Sequence, residues 1–158
     1  MSPNPYQNVN VYNKNQKTAA PPMGNSRATD ARALLTCAGK LDEAKTLMIG
    51  DPKSKENIKL YGEAIRFNQR LWTIFQVALS DPENPLPEDL RAILLGLSSY
   101  IDRTSFRAVG KYQPELIDSL ISIDRIIAAG LSKTPKNESA ESLPVDMRDI
   151  PISLMTSA

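Results

Sequence analysis

Residues 63–75 read EAIRFNQRLWTIF. Ile65, Trp72 and Phe75 recur at spacings of three and four, which places them on one stripe of an α-helix. Asn68 falls on the same stripe, an amide inside an apolar seam. Extended in both directions, the segment carries two adjacent stripes. One holds Ile58, Tyr61, Ile65, Asn68, Trp72, Phe75 and Leu79; the other holds Leu60, Ala64, Phe67, Leu71, Ile74 and Ala78. Together they cover more than half the circumference, the pattern of a helix touched by several others. The fold is therefore decided here: an all-α bundle built round this helix.

Three more helical patterns flank it. The first is expected over residues 27–48, with Ser26 as N-cap and Gly50 and Pro52 as stop signals. The second, the tryptophan helix, spans residues 55–80 with Ser54 as cap. The third starts in NPLPEDLR, where Pro85 or Pro87 suits a first turn and Glu88 and Asp89 suit the helix dipole, and it ends near Val109. The fourth opens at Pro114 and is expected to close at Gly130. No alternating strand pattern competes, and the short connections predict antiparallel neighbours. The expected organisation is an irregular N-terminal arm (1–25), a small antiparallel four-helix bundle (26–131) and a disordered C-terminal tail (132–158), rich in Ser and Pro. Within that tail, DIPISLM is apolar enough to be a short binding segment.

A buried, unpaired Asn68 would cost about 1–3 kcal/mol, so it needs a partner. Asp124 is the one acid in the fourth-helix stripe Ile117, Ile121, Asp124, Ala128. These two are the strongly polar groups placed centrally in their stripes, and the sequence predicts that they meet. Such a pair fixes helix register, or else receives a partner. Trp72, the single tryptophan, is expected in the core.

Composition narrows the chemistry. The chain has 158 residues, a formal net charge of +1, no histidine and one cysteine, Cys37. Balanced charge argues against a nucleic-acid or anionic-membrane binder. Absence of histidine removes Ser-His and Cys-His catalysis and most zinc sites. The chain shows no calcium-loop spacing, no Gly-rich phosphate loop and no apolar run near the length of a membrane helix. The expectation is a cytoplasmic, non-enzymatic protein with no cofactor, metal or small-molecule substrate.

Apolar residues exceed what an intramolecular core requires. In the third helix Leu95 and Phe106 fall off the main stripe; in the fourth, Ile123 and Ile126 widen the apolar face nearly all round. Surplus of this kind suits an amphipathic partner helix, unless the chain's own ends cover it. Lys55, Lys59, Arg66 and Arg70 line a charged face of the second helix, and Arg70 beside Trp72 is placed to clamp a carboxylate.

The segment FNQRLWTIFQVALSDPENPLPEDLRAILLGLSSYIDR resembles the FlaF family of α-proteobacterial flagellar biosynthesis regulators. The matching positions are Asn68, Arg70, Leu71, Trp72 and Thr73; Asn84, Leu86 and Pro87; Leu90, Arg91 and Ala92; and LISIDRIIAAGL from residue 120 to 131. NPYQNV near the start and RATDARALLTCAGKL in the first helix are also similar, so the likeness covers about residues 3–131. The family usually has Asn where this chain has Asp124. The resemblance implies a chaperone-like factor that binds flagellin, affects its synthesis and export, and works alongside the regulator FlbT. Arg70, Arg91, Leu95, Phe106, Ile123 and Ile126 are the candidate partner-binding residues, with Asn68, Leu71, Trp72 and Asp124 as the structural motif. The alternative is a post-transcriptional regulator that binds flagellin messenger RNA through the basic face of the second helix.

Overall fold

The computed structural model describes residues 23–24 and 26–133. The remainder of the expected arm and tail lies outside the described residues. Four helices follow one another: α1 (Arg27–Gly50), α2 (Lys55–Ser80), α3 (Glu88–Gly110) and α4 (Pro114–Ser132). Among the described residues there is no strand, so the all-α expectation holds.

The helices start where side-chain chemistry says they should. The Ser26 hydroxyl accepts from Thr29 N at 3.1 Å and the Ser54 hydroxyl from Asn57 N at 3.2 Å, each satisfying an amide the helix leaves open. Pro114 occupies the first turn of α4, where its missing N–H has no cost.

The ends differ from the glycine stops that the sequence predicts. Gly50 and Gly110 are the last helical residues, and no described glycine has positive φ. Extended Asp51 and Lys111 terminate these helices instead, their amides donating back to Leu47 O and Arg107 O. The fourth helix runs through Gly130 to Ser132. Gly39 stands in mid-α1, and a Cβ there, at Gly50 or at Gly110 would meet nothing within 4 Å.

The connections are held by side chains rather than turn glycines. Asn57 Nδ2 donates to Leu47 O and Asp51 O, tying the end of α1 to the start of α2. In the α2–α3 corner, Asn84 Nδ2 donates to Ala78 O at 2.8 Å and its Oδ1 accepts from Leu86 N at 3.0 Å. Leu86 plugs the corner, 5% exposed. Arg91 Nη1 donates to Asp81 O at 2.9 Å. The NxLP and LRA motifs are thus a device for ending one helix and starting the next.

The helices alternate in direction. Tyr61 near the start of α2 donates to Ala108 O near the end of α3. Lys45 late in α1 pairs with Asp118 early in α4. Helix α1 packs chiefly on α4 and then on α2; α3 packs on α2 and more lightly on α4. Helices α2 and α4 therefore stand on a diagonal, with Trp72, Phe75, Leu34, Leu41, Leu97, Ile101, Ile117 and Leu120 filling the centre.

Met23 adds a core residue from the arm, 2% exposed. Beside it Gly24 N donates to the buried Asp30 carboxylate at 2.9 Å, and a Cβ on Gly24 would come within 3.1 Å of Asp30 Oδ1. A side chain there would make the Asp30 carboxylate shift by a few tenths of an ångström.

A buried polar centre and an apolar groove

The stripe of α2 that carries Ile65, Asn68, Trp72 and Phe75 is buried from Tyr61 to Leu79, with Ile58 at its start exposed. Asn68 meets Asp124 as the sequence predicts. With its amide turned so that the nitrogen faces the carboxylate, Asn68 Nδ2 donates to Asp124 Oδ2 at 2.8 Å. Trp72 supplies a second donor, its Nε1–H reaching Asp124 Oδ1 at 2.9 Å. All three residues are 0% exposed. The Trp72 ring lies edge-on to Phe75, centroids 5.5 Å apart.

Burial raises the Asp124 carboxyl to about 7, against the indole N–H, which favours the charged form. Asn68 suits either state: its nitrogen donates to the carboxylate, and turned over, its oxygen accepts from the protonated acid. The adjacent Cys37 thiol is pushed up to about 12 by burial and then by Asp124, with Lys40 acting in the opposite sense. Both residues are buried at 0% exposure, and Cys37 borders the groove described next. No cluster among the described residues can hold a metal.

The second stripe of α2 is not covered as a central helix would be. Phe67 (39%) and Ile74 (59%) are exposed, Leu60 stands at the rim, and Leu71 is half-buried. Together with α1 they wall a groove along the outside of the bundle. One end, about 590 Å³, is lined by Thr29, Arg32, Ala33, Cys37, Phe67, Arg70, Leu71 and Ile74 among others. The other, about 380 Å³, continues past Phe67 and Arg70 to Lys40, Ala44, Leu47 and Leu60, with the acids Glu43 and Glu63 also on its wall. Lys40 lies over the Phe67 ring, 5.0 Å from its centroid. No hydrogen bond or ion pair engages the side chains of Arg32 and Arg70 among the described residues.

The remaining candidates do not converge. Arg70 lines the groove. Arg91 is half-buried and committed to the α2–α3 corner. Ile123 is 5% exposed and belongs to the core; Leu95 and Ile126 are partly buried against it. Phe106 alone stands out, 82% exposed on α3. The groove was therefore missed as a site, although its α2 wall is the second stripe of the sequence. The available signal was Phe67 and Ile74 sharing a face with Arg70 and not with Trp72.

No helix among the described residues is long and apolar enough to cross a membrane. No curated protein and no solved structure gives a match to the chain. A model of the family described as flagellar protein FlaF matches residues 10–131, a span that takes in all of α1–α3 and α4 up to Leu131. The match includes the buried Asn68–Trp72–Asp124 centre and the Asn84–Arg91 corner, so the motifs that the sequence shares with the family are the ones that build the bundle. The chain belongs to the FlaF family of flagellar proteins.

Proposed function

We propose that the protein is a chaperone-like flagellar factor that holds an amphipathic helical segment of flagellin in the groove between α1 and α2. The observation that carries this reading is the groove itself: Phe67 and Ile74 present exposed apolar surface beside the half-buried Leu71. A helix laid there would bury its apolar stripe and bring acidic residues beside it to Arg32 and Arg70, at the end of the groove lined by no acid. Capture of this kind keeps an export substrate from assembling or aggregating early and requires no nucleophile or cofactor, in keeping with a non-enzymatic role in the cytoplasm. Modulation of flagellin synthesis, and joint action with FlbT, would follow from how much of the factor is occupied by flagellin.

The test is co-elution of the purified protein with monomeric flagellin on size exclusion. Phe67→Asp and Ile74→Asp should abolish the complex and leave the helical circular dichroism intact. Phe106→Asp should leave it unchanged. A complex that survives both groove substitutions and is lost on Phe106→Asp would move the site to α3; no complex with any flagellin would refute the reading.

A further inference from the structure

The groove has a candidate occupant within the chain. The last described residue, Lys133, lies at the end of α4, and its carbonyl oxygen accepts from Arg27 Nη2 at the start of α1. This is the end of the bundle where Thr29 and Arg32 open the groove. Twenty-five residues follow. The twelve between Lys133 and Asp146 reach ~40 Å when extended, enough to round the ~10 Å thickness of α1.

Beyond them the sequence reads VDMRDIPISLM over residues 145–155. Ile150, Ile152 and Leu154 alternate with Pro151 and Ser153, a period-two pattern that sets three apolar side chains on one side of an extended segment. Asp146 and Asp149 precede them. Residues 134–158 carry Glu138, Glu141, Asp146 and Asp149 against Lys136 and Arg148, so the segment is acidic. The near half of the groove presents Arg32 and Arg70 and no acid. Residues 1–22, which also lie outside the described residues, carry Lys14 and Lys17 and no acid, the wrong sign for this surface.

We propose that residues 146–154 dock in the α1–α2 groove, with Ile150, Ile152 and Leu154 against Phe67, Leu71 and Ile74 and the aspartates toward Arg32 and Arg70. The tail then competes with any other ligand for the groove. That regulatory consequence rests on the groove being the flagellin site; the docking does not.

The experiment uses the full chain. Cys37 is buried and its thiol hard to ionise, so Ser153→Cys provides the reactive position for a nitroxide label. Paramagnetic broadening of amide resonances should concentrate on Thr36, Phe67, Arg70 and Ile74 and spare Phe106 and Val109 on α3. Arg32→Glu with Arg70→Glu should reduce it several-fold. Broadening that is uniform, that dilution removes (contact between copies), or that reaches the groove only from a label at Asn10→Cys would overturn the proposal.

Flagellin affinity is read separately. If the tail fills the groove about 90% of the time, replacing Ile150, Ile152 and Leu154 by Asp should tighten flagellin binding about tenfold. Equal binding by both chains would overturn the competition. Absence of flagellin binding by both would remove the functional reading and leave the relaxation result to decide the docking.

Discussion

Trp72 on α2 and Asp124 on α4 are joined by a 2.9 Å hydrogen bond across the diagonal of the bundle. The backbones of the two helices stay apart, and this bond and the Asn68 amide beside it are polar ties between them through the core. The charge at the centre has a consequence for pH. The carboxyl titrates at about 7 in the folded chain and near 3.8 when free. Its folded form therefore prefers the proton. Stability from this group is fully present below pH 4 and is lost as pH rises through 7. Asp124→Asn should remove that dependence and stabilise the protein at pH 8 by about 2 kcal/mol, since the amide keeps both hydrogen bonds without the charge. Urea melts of both chains at pH 5 and pH 8 read this directly; an equal pH slope in both would contradict it.

Removing the other members of the centre should be costly. Trp72→Ala leaves a large void and strips a donor from the carboxylate, a loss of about 3–5 kcal/mol. Asn68→Ala leaves a smaller void and removes a donor; it should cost about 1–3 kcal/mol, more at pH 8 than at pH 5, because the charged carboxylate depends more on its donors. Thermal denaturation at the two pH values separates these effects.

Much of this centre was legible in the sequence, and the groove was not. Asn68 and Asp124 announced themselves because a strongly polar residue on an apolar stripe has few ways to be satisfied. Trp72 gave no such sign, since its N–H is a small part of an apolar side chain. Periodicity identifies which faces are apolar but not which neighbour covers them. On α2 both stripes looked equally fit for the core; only the arrangement of α1 and α3 left Phe67 and Ile74 outside. For the same reason Ile123, on a helix apolar nearly all round, lies in the core. Met23 escaped notice because it precedes the first cap and has no helical partner to give it a period.

The α2–α3 corner should act as a unit. Asn84→Ala leaves the Leu86 amide without its acceptor and removes one of two donors to Ala78 O, and Arg91→Ala removes one of two donors to Asp81 O. Each should cost about 1–2 kcal/mol, and the double variant should lose less than the sum, because the two side chains secure the same turn. A double-mutant cycle by chemical denaturation measures the coupling; strict additivity would show that the corner is not cooperative.

The thiol of Cys37 should resist modification in the folded chain and react at the ordinary rate once unfolded. Its environment holds it to about 12, and it has no exposed surface. Labelling against urea concentration should follow the unfolding curve. Reaction well before the transition would reveal a local opening of α1 over the groove.

The three unobstructed glycines have a practical side. Gly39, Gly50 and Gly110 adopt ordinary backbone angles and crowd no described residue, so nothing among the described residues requires the absence of a methyl group. Each gives the unfolded chain extra freedom that alanine would remove, about 0.4–1 kcal/mol apiece. Combined, these substitutions should raise the melting temperature by several degrees, which would make the protein a sturdier host for the more damaging replacements at its centre.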